Sequence, residues 1–540
     1  MGSVTYPNPV RQALSSGRFL MTIEVATPVA REPFEDAIRP LLALVRALRD
    51  DPRADAIALT DRSRSDHDHD PIATGHRVAE VCGSMPLVHW AGKDRTLPQF
   101  EADLRRAETL GLDTFLLVTG DKVRHPPPDR PVRYLDSVNA LYAARQRSNA
   151  WLLAAAVSPF KYREEELLSQ YLKAAKKLRA GADFLMTQIG WDMLKFEELR
   201  SFVEQRGHAV PLVAELMFLT PARSRRLRRV GLAGVTITDE LVELLEEQAA
   251  TPDAGRSAAY RRLALQIVGV RHLGYAGVQV SGLHAYPDIL RVFEEVEDVA
   301  RECATLEAWW QAWRETLTMA DGRIAQVAPG NGFYLTPRPA SKAGLPVPRG
   351  EYVKFRVMDL LDHLVFREGS VGARALGPLL RRLDGRSGLG GALLRVEQTV
   401  KEPLVGCQTC GFCRLPQTAY VCPETCPKGL ANGPCGGTKD NMCEFGDREC
   451  IHNQIYRISK KAGLLANLEE VLIPPVPEGA WGSCSWVSHF RGEGPKVVRL
   501  PPRPAVGNSV GEAMVGESGK WSPGARWAWR SSGKKPSRRT

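Results

Sequence analysis

The chain has 540 residues, of which 44% are apolar and 25% are charged, values typical of a globular protein with roughly two to four domains. Its 72 Lys and Arg against 62 Asp and Glu give a net charge of +10, but +8 of this lies between Arg491 and Thr540. The near-neutral remainder gives no indication of nucleic-acid binding. Because no apolar run reaches about eighteen residues and the N-terminus lacks the order of a signal peptide, membrane and secreted classes are excluded and a cytoplasmic location is expected.

Eight short, apolar, β-rich runs recur in the first part of the chain, separated by charged segments with apolar residues at helical spacing. The predicted strands are Phe19–Val25, Ala54–Thr60, Pro86–Trp90, Thr114–Val118, Trp151–Val157, Phe184–Ile189, Pro211–Leu216 and Gly277–Ser281. The predicted helices include Phe34–Arg49, Leu97–Leu110, Glu164–Ala180 and Phe196–Arg206. This alternation indicates parallel β/α units, and eight units favour an α/β fold of the closed (β/α)8 barrel type. An open doubly wound sheet is the alternative.

The rest of the chain divides by composition. Helices are predicted over Leu290–Thr316, where Trp309, Trp310 and Trp313 form a face that docks on the barrel, and over Tyr352–Arg382. The predicted domains are a barrel (1–300), a helical and linker region (301–399), a Cys-rich module (400–490) and a basic, disordered tail (491–540).

Polar side chains stand where several predicted strands end. Glu24, Asp121 and Gln188 each follow an apolar run, and Glu215 lies near the end of the seventh strand. In a (β/α)8 barrel the carboxyl ends of the strands converge on one mouth, which holds the active site. Burial there raises the pKa of a carboxyl group toward the range of an acid catalyst, and a Gln suits the edge of a heterocycle. The sequence therefore predicts a site at this mouth, although a helix cap or loop anchor explains any single carboxylate equally well.

Three segments resemble the methylenetetrahydrofolate reductase family: Ile23-Glu24-Val25, Thr119-Gly120-Asp121, and AGADFLMTQ at Ala180–Gln188 followed by Trp191-Asp192. The resemblance extends over residues 15–290 in the family's order. The family is a (β/α)8 barrel whose flavin passes a hydride to the methylene carbon of a folate. The resemblance implies that Glu24 is the acid that assists opening of the substrate's five-membered ring. It also implies that Asp121 lies near the pterin and the flavin as a second catalytic residue and that Gln188 binds the pterin.

The same resemblance implies a flavin cofactor, FAD or FMN. The positions that it assigns to cofactor binding are His89, Thr119, Gly120, Asp121, Lys176 and Lys177. The sequence departs from the family pattern at three places. Thr119 stands where Arg is usual, Ser158–Tyr162 replaces a Tyr-Pro-Glu-x-His pattern, and Gln170 stands where Asp is usual. The departures affect mainly flavin contacts and leave open whether a flavin binds, whereas the folate-facing residues are kept.

Eight of the eleven cysteines are crowded into one short segment, where they predict metal binding. They are Cys407, Cys410, Cys413, Cys422, Cys426, Cys435, Cys443 and Cys450. Thiolates two residues apart can ligate one centre from a single loop, and three in that register followed by Cys-Pro pairs resemble a [4Fe–4S] loop. Zinc also accepts four thiolates. Eight ligands are enough for two sites, with iron–sulfur favoured over zinc.

The run Val421–Gly437 resembles the C-terminal module of proteins that accompany, or are fused to, methylenetetrahydrofolate reductases, where it is thought to serve electron entry or assembly. We therefore expect a 5,10-methylenetetrahydrofolate reductase of one-carbon and methionine metabolism. The expected partners are a folate substrate and an electron donor, either NAD(P)H or a redox protein. A non-catalytic electron-transfer or docking subunit of such a reductase is the alternative. No nucleic-acid or membrane partner is expected, and no oligomeric state is predicted.

Overall fold

The computed structural model describes residues 6–63, 65–335 and 344–502, and its first part is a closed barrel of eight parallel strands. The strands are β1 Leu20–Ala26, β2 Ala56–Thr60, β3 Leu87–Ala91, β4 Thr114–Val118, β5 Leu152–Val157, β6 Phe184–Thr187, β7 Leu212–Met217 and β8 Gly277–Ser281. Each strand pairs with the next, and β8 pairs with β1. The (β/α)8 prediction is confirmed, and each predicted run overlaps its strand.

Thirteen helices belong to the barrel part of the described chain. They are α1 Pro9–Ser16, α2 Phe34–Ala37, α3 Arg39–Leu48, α4 Pro71–Cys82, α5 Leu97–Thr109, α6 Ser137–Arg147, α7 Glu164–Arg179, α8 Met193–Gln205, α9 Pro221–Val230, α10 Asp239–Ala249, α11 Arg256–His272, α12 Tyr286–Glu302 and α13 Leu306–Thr316. The long crossover between β7 and β8 contains α9, α10 and α11, and the loop between α9 and α10 has no regular structure.

Only one end of the barrel is open for a site. At the amino ends of the strands, Val10, Ala13 and Leu14 of α1 are buried in one apolar cluster with inward-facing strand residues such as Leu20 and Phe184. This packing closes that end, because apolar side chains leave no room or polar groups for a ligand. The functional site is therefore confined to the mouth formed by the carboxyl ends of the strands.

The Trp-rich helix α13 docks on the barrel, as predicted. Trp309 and Trp313 are buried, and Trp309 Nε1 donates a hydrogen bond to the backbone oxygen of Leu265 at 2.7 Å. A Cβ atom at Gly269 would lie 2.1 Å from the Trp309 ring, so only glycine permits this close approach. The three tryptophans are thus a packing feature.

The C-terminal part is helical, with short irregular segments around the cysteines. Its elements are α14 Arg349–Leu361, a π-helix Asp362–Phe366, α15 Val371–Leu380, α16 Gly388–Val405, 3-10 turns Leu415–Thr418, Pro423–Thr425 and Glu478–Ala480, α17 Ile451–Ala462, α18 Leu465–Glu470, β9 Val471–Leu472, α19 Ser485–Phe490 and β10 Val498–Arg499. None of the helices in the described ranges combines the length and apolar character that a bilayer crossing requires.

The prediction of a disordered tail from Arg491 is wrong for its first residues. Val498 pairs with Leu472 in the antiparallel β9–β10 ribbon, and Leu500 is buried in the main apolar core. These few apolar residues order residues 491–502, which composition alone did not indicate. The remainder of the predicted tail, 503–540, lies outside the described residues.

Candidate functional site

Glu24 belongs to a hydrogen-bonded network across three strands of the mouth. Gln279 on β8 donates from Nε2 to Glu24 Oε2 at 2.8 Å, and its Oε1 lies 3.3 Å from His89 Nε2 on β3. Burial lowers the pKa of His89 to about 4, although the hydrogen bond with Gln279 opposes this shift. The His89 ring is therefore neutral near pH 7. In the described structure its hydrogen-bond partner is Gln279.

A second carboxyl group completes this network. Glu215 on β7 shares a hydrogen bond with Glu24, and in the strand register it lies opposite Gln279. Loss of surrounding water raises the pKa of Glu215 well above its usual value, and the charge of Glu24 raises it further. Sequence reasoning placed both glutamates at strand ends without pairing them. The polar Gln279 inside the apolar run of β8 was the signal that could have linked them.

Asp121 stands on the β4 side of the mouth, immediately after Gly120. Gly120 has a φ of +84°, and a Cβ there would lie 2.8 Å from the Lys93 Cβ, so the turn requires glycine. Asp121 is accessible to solvent and yet surrounded by protein, as expected for a side chain that lines a recess. Loss of water raises its pKa, the nearby Glu444 adds to this, and Lys428 opposes it.

Gln188 lies on the β6 side and contacts backbone groups. Its Nε2 donates to the Ala233 oxygen at 3.1 Å, and its Oε1 accepts from the Ile189 amide at 2.9 Å. Glu24, Asp121 and Gln188 therefore lie on different sides of one mouth, each with partners of its own. This arrangement suits a ligand that is held between them, and a ligand on Gln188 would have to replace its bonds.

The Cys-rich module lies on this mouth and covers its β4–β6 side, a contact that sequence reasoning missed. The backbone oxygens of residues 433–438 accept hydrogen bonds from three barrel side chains. Lys173 Nζ donates to Gly433 O at 3.0 Å, and Gln170 Nε2 donates to Cys435 O at 2.6 Å. Lys161 Nζ donates to Gly436 O at 2.8 Å and to Thr438 O. In the opposite direction, Lys428 Nζ donates to Gly120 O at 2.8 Å. Nothing in the spacing of these lysines pointed to the module.

Three consecutive glutamates at the start of α7 anchor the module from the side. Their contacts are Glu164 with Tyr456 Oη at 2.9 Å and with Lys460, Glu165 with Asn441 Nδ2 at 2.9 Å and Arg457 at 3.5 Å, and Glu166 with the Asn441 amide at 2.9 Å. The positive end of the helix dipole favours acidic residues in this first turn. The same charges thus stabilise α7 and join it to the module.

Three of the positions that the family resemblance assigns to flavin binding, Thr119, Gly120 and Lys177, have hydrogen-bond partners within the protein. Thr119 Oγ1 accepts from the Ser137 amide at 3.2 Å, and Lys177 Nζ donates to Ala156 O at 2.6 Å. The Gly120 oxygen is taken by Lys428. Residues 433–438 also approach the loop after β7, where a Cβ at Gly234 would be 2.4 Å from the Gly436 oxygen. A flavin that contacts Gly120 and Lys177 would have to replace Lys428 on the Gly120 oxygen and Ala156 on the Lys177 amine.

The eight clustered cysteines divide into two groups of four, and all are free thiols. The first thiol set, Cys407, Cys410, Cys413 and Cys422, lines one small recess beside α16. The second thiol set comprises Cys426, Cys435, Cys443 and Cys450. The charges of other members of this set raise the pKa values of Cys426 and Cys450. The second set adjoins the barrel, because the Cys435 oxygen accepts the bond from Gln170.

The chemistry of both sets suits a thiolate-ligated metal. Burial raises the pKa of Cys410 to about 12 and those of Cys422 and Cys426 to about 11, so these thiols ionise at neutral pH only beside a cation. Lys401 Nζ, 3.5 Å from Cys413 Sγ, supplies one positive charge beside the first set. In the described ranges, no three His, Cys, Asp or Glu converge closely enough to hold a single ion as they stand.

Replacing Lys161 by Met tests the contact between barrel and module. The change leaves the buried oxygens of Gly436 and Thr438 without this donor, and we expect the free energy of unfolding to fall by about 1–3 kcal/mol. Hydrogen exchange should accelerate in residues 433–438. The matched control is Lys439→Met, which removes an exposed lysine directly after this segment. Equal stability and exchange in the two variants would contradict the described contact.

The buried Lys177 predicts a pH-dependent stability. Burial lowers its pKa to about 7, so between pH 7 and the ordinary lysine pKa the unfolded chain binds one proton more than the folded chain. The free energy of unfolding should therefore rise with pH by up to about 1.4 kcal/mol per unit on account of this group. Denaturant titrations from about pH 7 to pH 9 should show this rise in the wild type relative to Lys177→Met. Lys122→Met, at an exposed position, should run parallel to the wild type.

Comparison with solved structures finds distant likenesses. An uncharacterised protein from Clostridium thermocellum, described as binding two copies of 5-methyl-5,6,7,8-tetrahydrofolic acid, is 13% identical with a TM-score of 0.41, over 54% of this chain and 99% of its own. A 2,3-dimethylmalate lyase is 12% identical (TM-score 0.31, 56% and 93% covered), and a phosphonopyruvate hydrolase is 14% identical (TM-score 0.30, 55% and 87% covered). These likenesses are too weak to bear on function.

Family models identify both parts of the chain. No curated protein matches it. The methylenetetrahydrofolate reductase model matches residues 9–288, more than half of the chain, and a model described as the methylene-tetrahydrofolate reductase C terminal matches residues 388–477. The first match covers the barrel with Glu24, Asp121 and Gln188, and the second begins with α16 and includes all eight clustered cysteines. The chain therefore belongs to the methylenetetrahydrofolate reductase family and also carries that family's C-terminal domain.

Proposed function

We propose that the protein reduces 5,10-methylenetetrahydrofolate to 5-methyltetrahydrofolate. The observation that carries this proposal is the position of the Cys-rich module: its second thiol set lies on the same barrel mouth that holds Glu24 and Asp121. A module suited to single-electron chemistry is thereby placed beside carboxyl groups suited to proton transfer. Family membership supplies the substrate class.

The reaction needs an acid at one atom of the substrate. Opening the five-membered ring breaks the bond between N10 and the methylene carbon, and N10 takes a proton while N5 and the carbon form an iminium cation. Addition of two electrons and one proton to this carbon gives the methyl group. We assign the N10 proton transfer to Glu24, stabilisation of the cation to Asp121, and binding of the pterin edge to Gln188.

The source of the electrons follows from the same geometry. The module contacts Gly120, one of the flavin-assigned positions, and also Gln170, where the sequence departs from the family pattern, so we propose that the reaction proceeds without a bound flavin. The first and second thiol sets would each hold a metal centre, with [4Fe–4S] favoured over zinc, and such clusters supply one-electron transfer when bound. The external donor for this route is then a one-electron redox protein, whereas NAD(P)H would have to pass its hydride directly to the methylene carbon.

A non-catalytic docking subunit is the second candidate, because the module occupies the side of the mouth that a flavin would need. The two candidates differ in whether the chain turns over methylenetetrahydrofolate by itself once it is supplied with reductant. Activity of the purified chain supports the enzyme, and activity found only in a reductase partner supports the subunit.

Replacement of Glu24 by Gln should lower methylenetetrahydrofolate reduction by about 100-fold or more, because the variant keeps the shape of the side chain but cannot transfer a proton. Reduction can be followed anaerobically with a chemical reductant, and folding by thermal denaturation. The matched control is Glu246→Gln on α10, an exposed partner of Arg225. Full activity in the Glu24 variant would remove Glu24 from the mechanism.

Anaerobically purified protein should contain iron and sulfide and lack flavin absorption. Cys413→Ser in the first thiol set and Cys435→Ser in the second should each remove the iron of one set, because serine is a poor ligand for the cluster. Cys82→Ser, on α4, is the control outside both sets. Bound zinc without iron would contradict the cluster assignment, and stoichiometric flavin would contradict the flavin-free proposal.

A further inference from the structure

The direction of the hydrogen bonds around Glu24 is fixed by one amide. Gln279 directs its Nε2 to Glu24 Oε2, so its Oε1 faces His89, whose Nε2 must carry the hydrogen that bridges the 3.3 Å gap. The chain of donors thus runs from His89 through Gln279 to Glu24. Glu24 is the acceptor at its end, and donation from an amide favours the ionised form of a carboxyl group.

The bond between Glu24 and Glu215 requires a proton of its own. Two ionised carboxylates have only acceptor oxygens, so they can share a hydrogen bond only when one of them is protonated. Glu24 accepts from Gln279 at Oε2, which favours its ionised form and so favours Glu215 as the donor. Both side chains are half-buried, so they are reachable from the mouth.

The described groups around Glu24 and Glu215 do not supply a positive charge that could take the place of the shared proton. On β3, His89 is neutral because burial lowers its pKa to about 4, and on β8 Gln279 carries no charge. On β6, Thr187 Oγ1 accepts the backbone amide of Glu215 at 3.1 Å. After β7, Arg223 donates to the backbone oxygens of Phe218 and Gly282.

Two further acids at neighbouring strand ends have cationic partners of their own. Asp61, after β2, pairs with Arg95, and Asp121, after β4, lies near Lys428 and Lys93. In the described structure the charge that raises the pKa of Glu215 is that of Glu24.

We propose that Glu24 and Glu215 form a dyad that holds one shared proton, that this proton resides on Glu215 in the resting site, and that Glu215 supplies it through Glu24 to the substrate. The inference rests on the proposed function, in which Glu24 faces N10 of the folate. Glu215 acts through Glu24 and is a positioning residue that keeps one proton on the dyad at neutral pH.

The proton and charge balance is complete without a co-reactant. The proton moves first from Glu215 to Glu24 and then from Glu24 to N10, and the electron pair of the breaking bond between N10 and the methylene carbon goes to N10. The dyad changes from one negative charge to two, while the substrate becomes an iminium cation. The positive charge of the iminium cation then compensates the second negative charge of the dyad. After reduction, solvent returns a proton to the dyad.

Replacement of Glu215 by Gln gives the first test. Glutamine can still donate a hydrogen bond to Glu24 but has no proton to transfer. We expect kcat to fall by about 100-fold at about pH 8 with little change in KM. The alkaline limb of the pH–rate profile should move to lower pH, because Glu24 no longer has a carboxyl neighbour that raises the pKa of the pair. Glu215→Asp, which keeps an acidic proton, should recover part of the activity, and Glu246→Gln should leave the profile unchanged.

An infrared titration tests the dyad without turnover. At about pH 8 the wild type should show the band of a protonated carboxyl group, which shifts in deuterium oxide and is absent from Glu215→Gln. A wild type without this band, or a Glu215→Gln variant with the wild-type pH profile, would overturn the dyad. If the band is present and is lost in the variant while no folate is reduced by either protein, the proposed function fails and the dyad stands.

Discussion

The barrel and the Cys-rich module are joined by charged side chains that are removed from water, and each of these charges needs a partner across the junction. Lys161 and Lys173 satisfy backbone oxygens of the module, while Glu164 and Glu165 hold its side chains. An unpaired buried charge costs several kcal/mol, so the two bodies fit together in one relative position. That position brings the second thiol set to the barrel mouth.

The same constraint operates inside the mouth. Glu24 and Glu215 lie too close together for both to be ionised without a cation beside them, and the resting site keeps one proton between them. Gln279, oriented by the neutral His89, donates to Glu24 and so favours the proton on Glu215. An isolated glutamate is almost wholly ionised near neutral pH. A glutamate with a protonated carboxyl group beside it can still protonate a weakly basic nitrogen there.

The module also contacts the side of the mouth to which the family resemblance assigns the flavin. Its Lys428 donates to the oxygen of Gly120, a flavin-assigned position, and its segment 433–438 accepts from Gln170 and Lys173. A route for electrons through thiolate-bound centres and a site for proton transfer would then meet at one mouth. Exchange of a flavin for a docked domain would preserve the folate-facing side, where Glu24 and Gln188 lie.

The amino-acid sequence by itself determined the eight strands, the barrel and the eight clustered cysteines, because apolar periodicity and short ligand spacings are local properties. It also placed Glu24, Asp121 and Gln188 at strand ends. Only the tertiary structure paired Glu24 with Glu215, divided the thiols into two sets and brought the module to the mouth. Gln279 and Glu24 are 255 residues apart and meet because β8 closes on β1, and Gln170 meets Cys435 across 265 residues. Such contacts depend on barrel closure and domain docking, which leave no periodic signal in the chain.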